Sequence, residues 1–224
     1  LAVWLLLFLL LMSNKNFAQT FCRPTGQTNT AGGGLLCIGT SVTNPDNAID
    51  ASLDTFSTLT NTVGVGNCIA QQTFVLGQMA KAGDQIVVYY GSNSTLNVNL
   101  LSNISIQSKN SVAVTEGPVI ALNNPLLNVA LLAGDTRGSF KYTLTADADQ
   151  IKIQVGGFLS LLTNLRIYDV RLQFASPTIA NGETQSVCFG QSVALSATAA
   201  VGTTVAWYDS PTAIAPLSNV GTYT

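Results

Sequence analysis

The chain contains no histidine, only two glutamates (Glu116 and Glu183), and charged residues at just 9% of its 224 positions. Each shortage removes a class of function. Without histidine there is no Ser-His-Asp or Cys-His nucleophilic pair and no His-ligated zinc. With so few carboxylates, a paired-carboxylate glycosidase has little to draw on. The net charge of −2, with no long basic run, lacks the electrostatic footprint of a nucleic-acid binder. An average domain is about 25% charged, so this surface must be covered by Ser, Thr, Asn, Gln and Gly. Such a covering suits extracellular β-proteins. Also missing is any stretch with a convincing helical period of 3.6.

Apolar residues are plentiful at 47%, which excludes a disordered polar chain. The first twelve, LAVWLLLFLLLM, are too few for a membrane span of about 20 residues. They match the hydrophobic core of a secretory signal, and Asn16-Phe17-Ala18 offers a small residue before a cut after Ala18 or Gln19. Residues 1–19 therefore read as a signal peptide that starts within itself, with an uncleaved anchor as the alternative. The expected location is secreted or cell-surface, with no membrane span in the mature chain. Because GTYT at the far end carries no terminator or polar tail, the chain reads as a piece of a longer exported polypeptide. The other domains of that polypeptide are expected partners.

Four cysteines fit an oxidising compartment. Cys37 and Cys68 bracket the chain's one distinctive motif and are the favoured pair, while Cys22 is left over or competes for one of them. Cys188 lies in a different region.

Short alternating strands dominate from residue 20 to about 175. KYTLTA, with Phe140 before it, puts Phe140, Tyr142, Leu144 and Ala146 on one face. IKIQV sends Ile151, Ile153 and Val155 inward. RIYDVRLQF buries Tyr168, Val170, Leu172 and Phe174, leaving Asp169, Arg171 and Gln173 to water. A period of two marks half-buried antiparallel strands. QIVVYYGS, TLNVNLL, ISIQS and SVAVT are further candidates, and NPLLNVALLAG is either helix or buried strand. This pattern predicts an all-β, antiparallel jelly roll or β-sandwich over residues 20–175. SPTIANGET, residues 176–184, reads as a linker. Residues 185–224 then give a Cys, an alternating strand, a turn and a strand carrying Trp207. That order matches the N-terminal part of an Ig-like sandwich with Trp207 at its core.

The motif is TNPDNAIDASLDTFSTL, residues 43–59, in which Asp46, Asp50 and Asp54 recur every fourth position. Asp50, Asp54 and Thr55 could contribute to the six to eight oxygens that calcium requires. Alternatively, a Pro-Asp turn runs into a short helical turn with side chains capping backbone N–H groups.

Two resemblances rest on these residues. Val187-Cys188-Phe189-Gly190, Val193 to Thr198 and Trp207-Tyr208-Asp209 resemble the opening of the bacterial Ig-like repeats of large surface proteins. That likeness implies attachment and adhesion. Ala48, Asp50, Ala51, Thr55 and Ser57 resemble the A-x-D-G-x-x-x-T-x-W motif of discoidin-like, galactose-binding-like jelly rolls. Ala51 stands where the motif has Gly and Ser57 where it has Trp. The resemblance implies a carbohydrate- or surface-binding module and, in some relatives, a structural calcium held by the motif's Asp and Thr. No closing glutamate is present near RIYDVRLQF.

Sugar sites use an aromatic platform with a few polar groups. Tyr89, Tyr90 and Phe158 are the candidate platforms. The expected function is a non-catalytic secreted or cell-surface binding or adhesion module. Its partner would be a glycan or surface polymer rather than nucleic acid, and no cofactor is needed beyond the possible calcium. The alternative is an accessory domain of a large exported hydrolase whose catalytic domain lies elsewhere.

Overall fold

A computed structural model describes residues 21–33, 36–65, 68–92, 101–125, 127–131, 136–157, 161–180, 188, 192–199, 203–210, 213–219 and 221–223. The signal-like segment, Phe158 and most of TLNVNLL lie outside the described residues. The chain divides into two compact units, one spanning Phe21–Gln173 and the other holding the residues from Phe174 onward.

The first unit is all-β. Its strands are β1 Phe21–Cys22, β2 Gly26–Gly32, β3 Leu36–Ile38 and β4 Ser41–Thr43; a 3-10 turn, Pro45–Ala48, follows β4. Next come β5 Ser57–Val65, β6 Cys68–Ala80, β7 Gln85–Gly91, β8 Ile104–Asn110 and β9 Thr115–Glu116. The last are β10 Ile120–Ala121, β11 Asn128–Leu131, β12 Arg137–Thr143, β13 Ala148–Gly157 and β14 Leu161–Gln173. One sheet has the order β11-β12-β7-β14-β5-β3, with β1 on β14 and β4 on β5. The other has the order β10-β8-β13-β6-β2, with β9 on β8. The strands pair antiparallel. This is the jelly-roll sandwich that the alternation predicts.

The core follows from the period of two. In β13, Ile151, Ile153 and Val155 are buried while Lys152 and Gln154 are half-buried. Along β6, Cys68, Ala70, Gln72, Phe74 and Leu76 point inward. Phe140 and Tyr142 of β12 join them from the opposite sheet. Burying each large apolar side chain contributes about 1.5–3 kcal/mol. Gln72 is the polar member of its row and bridges the sheets. Ser57 Oγ of β5 donates to Gln72 Oε1 at 2.7 Å, and Gln72 Nε2 donates to the Pro45 carbonyl at 2.7 Å. The 3-10 turn is thereby fixed to both sheets. A disulfide between Cys37 of β3 and Cys68 of β6 adds a covalent tie, also from one sheet to the other.

Three strand readings need correction. Asp169 does not face water: it is fully buried. A bulge in β14, where the pairing steps from Ile167↔Tyr90 to Asp169↔Tyr89, inserts Tyr168 and reverses the phase of the alternation. Ile167, Tyr168 and Asp169 are consequently all buried. SVAVT is a turn over residues 111–114, with Val112 and Val114 exposed, because Asn110 Oδ1 accepts from the N–H groups of Val112 and Ala113. Ala146 lies beyond the end of β12 in an exposed bend. The ambiguous NPLLNVALLAG contributes the strand β11.

In the second unit, β15 Thr178–Ile179, β16 Leu195–Thr198 and β17 Thr222–Tyr223 form a three-stranded antiparallel sheet. Trp207, expected at the centre, is half-buried and bridges to Ser218. Ala197 and Val205 are the buried apolar side chains among the described residues of this unit.

Candidate functional site

The motif loop closes on itself. Asp50 Oδ1 accepts from the Ser52 N–H at 2.8 Å, and Asp50 Oδ2 accepts from Thr55 Oγ1 at 2.6 Å. The Thr55 hydroxyl, followed by the Ser52 N–H, holds the Asp50 carboxyl below its ordinary value. Asp46 turns away to accept from Gln27 Nε2 at 3.0 Å. Among the described residues no three His, Cys, Asp or Glu side chains gather as a metal group requires. Each Asp50 oxygen thus accepts one hydrogen bond from within the loop, which closes the turn. Ala51 sits at φ 71°, the left-handed region that favours glycine. The discoidin-like motif has Gly at this position.

Beyond the turn, Leu53 reaches a surface cleft of about 320 Å³. Its other lining residues are Tyr89 and Tyr90 of β7, Arg137, Gly138 and Ser139 of β12, and Tyr168 of β14. The strand order β12-β7-β14 makes these three strands neighbours. The bulge supplies Tyr168. Gly91 supplies the room: a Cβ there would lie 2.7 Å from the Thr136 carbonyl oxygen and 3.0 Å from Tyr168 Cε2. Tyr168 can therefore lie close over β7 because residue 91 has no side chain.

The aromatic rings are held in place by arginines. The Arg137 guanidinium lies 4.3 Å from the Tyr168 ring centroid, and Arg137 Nη1 donates to the Leu53 carbonyl at 3.2 Å. Phe56, from the end of the motif loop, meets Tyr168 edge-on at 5.4 Å and carries the Arg166 guanidinium at 4.5 Å. Tyr89 has Arg171 at 4.8 Å.

Of the sequence-predicted platforms, Tyr89 and Tyr90 come together at the cleft. They do so differently, because adjacent strand residues point to opposite faces. Tyr89 is half-buried, whereas Tyr90 is fully buried and packs at 5.6 Å against Phe140. Burial pushes the Tyr90 phenol up to about 12. Its hydroxyl has no hydrogen-bond partner among the described residues. Phe158 lies outside the described residues. Asp50, Asp54 and Thr55 belong to the loop that carries Leu53 but do not line the cleft. Sequence reasoning missed Leu53, Arg137 and Tyr168 as a group. Their common signal, an arginine opposite an aromatic ring, is readable only with the strand register in hand.

No protein-family model matches the chain, and no curated protein matches it in sequence. Several solved structures are similar. The lectin domain of lectinolysin complexed with Lewis B antigen is 19% identical, with a TM-score of 0.42, covering 69% of this chain and 94% of that one. The family 32 CBM from C. perfringens NanJ, in complex with galactose, is 16% identical with a TM-score of 0.39, covering 69% and 98%. A Streptococcus pneumoniae fucose binding module is 14% identical with a TM-score of 0.42, covering 71% and 99%.

Proposed function

We propose that the Phe21–Gln173 unit is a non-catalytic carbohydrate-binding module and that the cleft between Leu53, Tyr89, Tyr168 and Arg137 seats the sugar. The observation that carries this reading is the make-up of the lining. Tyrosine rings and a leucine provide apolar surface for the C–H face of a pyranose. One fixed guanidinium, a serine and backbone groups provide donors and acceptors for its hydroxyls. Binding rather than chemistry is favoured because, among the described residues, no carboxylate or thiol lines the cleft, and the chain has no histidine.

The wider setting is part of the same proposal: export, presentation at a cell surface, and a partner that is a glycan or surface polymer. The Cys37–Cys68 bridge supports an oxidising location. No helix among the described residues is long and apolar enough to cross a membrane. The test is a glycan array probed with the full chain. Binding to a defined set of sugars is expected, and Tyr89→Ala should weaken it about tenfold, or about 1.4 kcal/mol. A blank array, or retention unchanged by Tyr89→Ala, overturns the reading.

A further inference from the structure

The chain has four arginines, Arg23, Arg137, Arg166 and Arg171, and every one stacks on an aromatic ring. They divide into two pairs. Arg23 and Arg171 both bind the buried carboxylate of Asp169, which offsets one of their two charges. Arg137 and Arg166 form no ion pair among the described residues. Their placement is specific. In the strand register both are directly opposite Gly91, Arg137 on β12 and Arg166 on β14. Two strand spacings, about 10 Å, separate their backbones, and the Tyr168 ring lies over the glycine between them.

Two like charges flanking one glycine are an unfavourable arrangement that a bound anion relieves. Arg137 is also set up to receive one. Its ring contact and its bond to the Leu53 carbonyl fix the guanidinium at the cleft, and that bond uses one of its five N–H donors. A planar fork held in this way matches a carboxylate or sulfate oxygen pair in two-pronged geometry. We propose that the cleft selects an anionic saccharide, with a uronic-acid carboxylate or a sulfate ester seated on Arg137 and the Arg166 charge adding to the field. The proposal rests on the reading of the cleft as a sugar site. The protein's own net charge of −2 argues against general attraction to polyanions.

Affinity electrophoresis of the full chain through gels containing polygalacturonate, a sulfated galactan or an uncharged galactan tests it. Retardation should be at least about tenfold stronger on one of the anionic polymers, the effect of one charge-assisted contact. It should weaken as salt is raised. Arg137→Gln should abolish the preference. Arg137→Lys keeps the charge but not the fork and should lose most of it. Lys141→Gln, a cation of the same strand that does not line the cleft, should leave the preference intact. Melting curves of each variant confirm folding. Equal retention by charged and uncharged polymers, or a preference lost equally in Lys141→Gln, overturns the anionic selectivity while leaving a sugar site. No retention by any polymer overturns both the selectivity and the reading beneath it.

Discussion

Arg23 grips Asp169, 146 residues away in sequence, with Nε 3.0 Å from Oδ1 and Nη2 3.2 Å from Oδ2. Arg171 Nε adds a third bond, to Oδ2 at 2.6 Å. A buried carboxylate is tolerable only when paired in this way. Removing both cations should therefore be severe. Arg23→Ala with Arg171→Ala should cost about 3–5 kcal/mol in urea unfolding, and each single variant clearly less. A double variant within 1 kcal/mol of the parent would show that the triad does not hold β1 to β14.

Ala51 occupies a left-handed conformation without glycine's freedom. Ala51→Gly should stabilise the protein by about 0.5–1 kcal/mol, the left-handed strain relieved less the entropy that glycine adds to the unfolded chain. A lower melting temperature in this variant would contradict the backbone assignment of the loop.

The same loop bears on calcium. With Asp50 bonded to Thr55 and Ser52, calcium and a chelator should give superimposable melting curves. A calcium-dependent rise of several degrees, lost in Asp50→Asn, would instead place an ion at the motif.

Alternation along β12 and over Ile151–Val155 of β13 was readable from sequence because those stretches keep one phase. The failure at β14 has a specific cause. One inserted residue, Tyr168, reverses the phase, and period-two reading has no means of detecting an insertion within an unbroken strand. The cleft was half-legible for a different reason. Tyr89 stands out as one of two adjacent aromatics on a strand. Leu53, Arg137 and Tyr168 come from three separate stretches, and only the strand order β12-β7-β14 and the Gln72-anchored turn bring them together. The motif's regular aspartates were legible as a turn, while their separate partners, Gln27 for Asp46 and Thr55 for Asp50, depend on tertiary placement.

Acid should destabilise the fold in a defined window. Asp50 is held below its ordinary value of 3.8 by the Thr55 hydroxyl and the Ser52 N–H. Asp147 is held below it by the Lys81 ammonium and the Ala82 N–H. Asp149 is pushed up by burial but carried below it by the hydroxyl and N–H of Ser111. A carboxyl whose folded value lies below its unfolded value contributes stability above about pH 4 and loses it as pH falls through the folded value. The melting temperature should thus fall as pH drops below about 4. Thr55→Val should flatten part of that fall; an identical acid profile in the variant would remove Asp50 from the account.

Reducing the Cys37–Cys68 bridge opens a loop with a sequence separation of 31. In the chain-entropy treatment this should cost about 3–4 kcal/mol. Denaturant midpoints with and without reductant measure it, and matching midpoints would show that the bridge adds nothing to the unfolding equilibrium.

Phe21 lies directly opposite Gln173, so the polypeptide joins and leaves the sandwich at one point. The module therefore hangs as a side loop on whatever continues in either direction. Tension along the polypeptide would meet β1 and β14 end-on and open their two-residue ladder one rung at a time, as a zip opens. The load would next reach the Arg23–Asp169 grip, while the cleft, built on β7, β12 and the bulge of β14, lies outside the first segment to peel. Pulling single molecules by their two ends should show an early yield at low force that Arg23→Ala lowers further, with the disulfide-closed segment released only after reduction.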